Sequence, residues 1–75
     1  MNINLLDEKI LSLVKRYLSP ATQHIKAVAA LEMPEPNLSL RLVRSRLLAM
    51  ESSGRVVRAS NSRANKITWA LPRDV

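Results

Sequence analysis

The side chains in this sequence best equipped for recognition chemistry are arginines, and they are unevenly placed. Arg41, Arg44, Arg46, Arg55, Arg58, Arg63 and Arg73, together with Lys66, fall in residues 38–75, where only Glu51 and Asp74 oppose them. Residues 1–37 carry four cations and four acids, so the whole net charge of +6 belongs to the second half. A guanidinium is a planar fork of donors that matches phosphate oxygens and the edge of guanine. The asymmetry therefore points to a polyanionic partner. The competing explanation is a basic surface that only aids solubility.

Other chemistry has little to work with. There is no cysteine, hence no disulfide, thiolate metal site or cysteine nucleophile. A single histidine, His24, leaves little for acid–base work and reads as an ordinary surface residue. One glycine, Gly54, cannot build a phosphate-cradling loop. The adjacent acids Asp7 and Glu8 are explained by their expected place in the first turn of a helix. No triad or metal constellation is visible, and neither a cofactor nor a small-molecule effector is expected. The chain reads as a non-enzyme. The longest apolar run, Ala27 to Leu31, spans five residues, which is too short for a membrane. The N-terminus reaches Asp7-Glu8 without the basic stretch of a signal peptide. A soluble, cytoplasmic chain is expected.

These residues need elements to hold them, and 75 residues allow one small domain, 1–75. Leu6, Ile10, Leu13, Val14 and Tyr17 recur at three- and four-residue steps and predict a helix over 5–18. Asn4 is its expected N-cap, and Pro20 stops it and holds Ser19 extended. A second, alanine-rich helix is expected from 21 or 22 to 31, with Thr22 as a cap. Two prolines then break the chain between Glu32 and Leu38. The third helix is expected to follow Ser39 as N-cap and to end at 52 or 53, with Gly54 in the left-handed position beyond it. Leu40, Val43, Leu47 and Met50 form its core stripe. Ser45 points away, flanked by Arg41, Ala49 and Ser52, with Arg44 and Arg46 on the shoulders. Arg46 has Glu51 or Glu32 as a candidate ion-pair partner. Leu42 and Leu48 fall off the stripe, which suggests packing against the hairpin or a subunit interface. Residues 56–60 and 66–71 alternate as a two-stranded hairpin with a polar tip that includes Asn61, Ser62 and Asn65. Ile67, Trp69 and Leu71 would form its buried face.

Helix, helix, turn, helix and hairpin, with a basic third helix and a basic tip, resembles the winged helix-turn-helix proteins. The run Val43-Arg44-Ser45-Arg46-Leu47-Leu48-Ala49-Met50-Glu51-Ser52-Ser53-Gly54-Arg55-Val56 looks like the recognition helix and wing entry of bacterial, phage and plasmid regulators. Thr68-Trp69-Ala70-Leu71 looks like the closing wing strand of small pilus-switch regulators. The connection at 32–38 is longer than the tight turn usual in that family. The resemblance implies an α+β fold, a three-helix core with a C-terminal two-stranded wing.

It also implies a sequence-specific duplex-DNA-binding protein, a transcriptional regulator of repressor type that often pairs as a homodimer. The helix at 39–53 would read the major groove with Arg41, Arg44, Ser45 and Arg46. The wing at 56–71 would touch backbone or minor groove with Arg58, Arg63 and Lys66. Ser39 and the free amides beside it would take a phosphate. The rival readings are a winged-helix module that docks a protein, with Leu42, Leu48 and the proline-rich turn in its favour, and an RNA binder or a replication or recombination accessory factor of the same fold.

Overall fold

A computed structural model describes residues 3–33, 38–60, 62–63 and 66–74. The proline-rich turn at 34–37 and the tip residues Asn61 and Asn65 lie outside the described residues. The chain runs α1 (Ile3–Arg16), α2 (Thr22–Glu32), α3 (Leu40–Ser52), β1 (Val57–Arg58), β2 (Trp69–Ala70) and a final 3-10 turn, Pro72–Asp74. This is the expected α+β layout, three helices followed by an antiparallel hairpin.

The apolar stripe of α1 is as expected: Leu6, Ile10, Leu13 and Val14 are buried. The ends of the helix differ from expectation. The helix includes Ile3, so Asn4 lies inside it rather than capping it. Asp7 is consequently no first-turn residue, and it is buried. The helix stops at Arg16, leaving Leu18 98% exposed. Ser19 is not extended but left-handed, with φ 51°. The reversal it makes carries residues 20–22 alongside the hairpin. There Trp69 N donates to Pro20 O at 3.0 Å, Thr22 N donates to Ile67 O at 3.4 Å, and Ala21 bridges Thr68 in antiparallel fashion. An isolated bridge thus flanks the hairpin, which the periodicity did not foretell.

α2 opens at Thr22 with Ala21 in the N-cap position and no side-chain cap. Thr22 was expected to cap. Its hydroxyl instead accepts the indole N–H of Trp69 at 2.9 Å, the partner a buried indole requires. Ile25 and Ala29 are buried in the core shared with α1 and α3.

α3 begins and ends as expected. Ser39 Oγ accepts from Leu42 N at 3.1 Å, and Gly54 takes φ 81°. Val43, Leu47 and Met50 are fully buried, whereas Leu40 is only half-buried. Leu42, expected to turn away, packs against the core from its edge.

In the hairpin, Val57 pairs with Ala70 and Arg58 with Trp69. Ala59 N to Thr68 O (2.9 Å) and reciprocal bonds between Arg63 and Lys66 (2.9 and 3.1 Å) carry the pairing to the tip. Burial does not alternate as expected. Thr68 and Trp69 are both buried, while Ile67 and Leu71 are half-buried. Thr68 is covered because Ser62 folds over it, its hydroxyl 2.9 Å from Thr68 O and 3.1 Å from Thr68 Oγ1. The 20–22 segment covers the same strand.

Candidate nucleic-acid interface

The outer side of α3 follows from its inner side. With about 100° per residue, burying Val43, Leu47 and Met50 turns Arg41, Arg44, Ser45, Leu48 and Ser52 outward. All five are exposed. The sequence-predicted set Arg41, Arg44 and Ser45 is therefore brought together on one helical face.

Arg46 is placed differently. It lies one turn past Val43 on the side facing α1, and its fork closes on Asp7. Nε sits 2.9 Å from Oδ1 and Nη2 sits 2.8 Å from Oδ2. The partner is thus Asp7, not Glu51 or Glu32. Asp7 is buried, and Arg55 approaches the same carboxylate at 3.8 Å. The hydrogen bonds from Arg46 hold the Asp7 carboxyl below the usual carboxylate range, against the opposing effect of burial. The pair ties α1 to α3 and to the root of the hairpin.

Arg58 is also engaged. Its Nε donates to Glu51 Oε2 at 3.0 Å, and its guanidinium lies 5.8 Å from the centroid of the Trp69 ring. It braces β1 against the end of α3 rather than reaching from the tip. Glu32 binds Arg16 at 2.7 Å and Lys9 at 2.9 Å, linking α1 to α2. Those two cations lower its pKa to about 2.

Arg63 and Lys66 stand exposed on the hairpin, where they form one wall of an open groove. The opposite wall is the α1–α2 junction and the start of α2, including Tyr17, Gln23 and His24. The His24 ring meets Tyr17 edge-on, with centroids 4.6 Å apart. Ala21 offers no side-chain cap at the start of α2, where the Thr22 amide is taken instead by Ile67 O. Gln23 also lines a second, shallower depression with Lys26 and Ser39. Hairpin tip, start of α2 and start of α3 therefore form one surface. Sequence reading missed Gln23, His24 and Lys26 as members of it. The available signal was their polar character on a helix whose Ile25 and Ala29 face inward.

The placement of the acids shapes the field of this surface. Among the described residues, Asp7, Glu32 and Glu51 neutralise cations elsewhere, and no acid lies within ion-pair distance of Arg41, Arg44, Arg63 or Lys66. No helix of the described residues is long and apolar enough to cross a membrane. Comparison with protein-family profiles, with curated proteins and with solved structures found no match to this chain.

Proposed function

We propose that the chain binds duplex DNA as a small transcriptional regulator of the winged helix-turn-helix kind, acting by binding rather than by catalysis. The observation that carries this reading is that Arg41 and Arg44 on α3, and Arg63 and Lys66 on the hairpin, are all exposed with no described acid within ion-pair distance. α3 enters the major groove, which is wide enough for one helix. Arg41, Arg44 and Ser45 face base edges. Arg63 and Lys66 hold the sugar–phosphate backbone, and Ser39 with the amides at the start of α3 takes a further phosphate. Arg46 and Arg58, both drawn into ion pairs, serve to fix α3 and the hairpin. Two copies on a palindrome would place their helices about 34–36 Å apart.

A protein-docking module is the second reading, favoured by Leu18 and Leu31, which are 98% and 83% exposed. Titration of a random-sequence duplex at increasing salt separates the two. Neutralising about five phosphates gives a slope of log affinity against log salt of about −4 to −5. A flat response, or no affinity at low salt, removes the DNA reading in favour of docking.

A further inference from the structure

The exposed face of α3 includes one side chain that a purely polar reading surface has no use for. Leu48 is 42% exposed and lies one turn beyond Arg44 and Ser45 and one turn before Ser52. With Arg41 they form a single row along the helix. Leu48 does not belong to the buried stripe, nor to the half-buried residues packed on it. A subunit interface is a poor explanation. A stable one needs about 800 Å² from each partner, and the neighbours here are two serines and two arginines, whose like charges repel the same face of a second copy. Duplex DNA answers both features of the row. Its phosphates and guanine edges suit the arginines, and its major groove carries one apolar group, the C5-methyl of thymine.

We propose that Leu48 is a specificity-determining residue that packs on a thymine C5-methyl in the major groove, one helical turn beyond the contacts of Arg44 and Ser45. This rests on the duplex-DNA reading above. The site bound most tightly then has a thymine at a fixed step from the base pairs that the arginines read.

The test uses the full chain. The tightest-binding duplex is selected from a random library and resynthesised with deoxyuridine replacing each thymine in turn. Uracil pairs as thymine does and lacks only the methyl group. At one or two positions wild-type affinity should fall about fourfold, the effect of one buried methyl-sized group. Leu48→Ser should bind the original duplex more weakly, show no further loss at those positions, and keep the wild-type salt slope and Tm. A wild-type protein indifferent to every uracil overturns the inference and leaves the DNA reading standing. A uracil penalty undiminished in Leu48→Ser also overturns it, because another residue then holds the methyl. So does a Leu48→Ser protein that sediments as a smaller species than the wild type. Failure to enrich any duplex removes the DNA reading and this inference together.

Discussion

At the scale of single residues, the arginines divide by what holds them. Arg46 and Arg58 are anchored on Asp7 and Glu51, while Arg41, Arg44 and Arg63 project outward. Losing a base-contacting arginine costs about 1–3 kcal/mol and relaxes preference at particular base pairs. Losing a phosphate contact weakens every sequence alike. Arg44→Ala should therefore narrow the gap between selected and random duplex, while Arg63→Ala leaves that gap nearly intact. Both should keep the wild-type Tm, since neither fills the core. Paired affinities at one fixed salt concentration check this. If Arg63→Ala abolished discrimination and Arg44→Ala did not, the hairpin would be the reader.

At the scale of elements, α3 is fixed by an apolar stripe beneath it and an ion pair beside it. Leu47 is fully buried, so Leu47→Ala should lower stability by about 2–5 kcal/mol in urea melts. A cost under about 0.5 kcal/mol, typical of surface changes, would mean that another side of the helix faces the core. The Asp7–Arg46 pair gives a pH signature. Arg46 depresses the folded-state pKa of Asp7, so the unfolded chain binds the proton more tightly. The contribution of the pair is therefore complete above the unfolded value of about 3.9 and is lost as pH falls through the folded value. Glu32, lowered to about 2 by Arg16 and Lys9, acts with the same sign in the same acid range. Melts from pH 7 down to pH 2 should show stability falling below about pH 4. Asp7→Ala should lose about 1.5–3 kcal/mol at neutral pH and fall less steeply in acid. Equal acid sensitivity in wild type and variant would refute this account of Asp7.

At the scale of the whole molecule, the candidate interface belongs to no single element. Gln23 touches both the groove beside Arg63 and Lys66 and the depression beside Ser39, so α2 joins the hairpin to α3. Lys26, on that same depression, should act as a backbone contact. Lys26→Ala is expected to weaken selected and random duplexes equally and to reduce the magnitude of the salt slope by about one. An unchanged slope would place α2 outside the footprint.

Much of this architecture was legible in the sequence, because the signals that specify it are local. Helical periodicity, the Ser39 cap and the Gly54 stop each act over three or four residues. They marked all three helices and the stripe Val43, Leu47 and Met50 in advance. The concentration of charge in the second half, and the outward set Arg41, Arg44 and Ser45, followed from the same arithmetic. What the sequence left open depended on approach between distant segments. The Asp7–Arg46 pair spans 39 positions and the Thr22–Trp69 hydrogen bond spans 47. The bridge of Ala21 to Thr68 needs Ser19 to turn left-handed, against the ordinary preference of a residue before proline. None of these leaves a periodic trace, since each depends on how helices and hairpin are oriented once their apolar faces meet. That orientation decided which arginines are held in ion pairs and which have no described acid beside them.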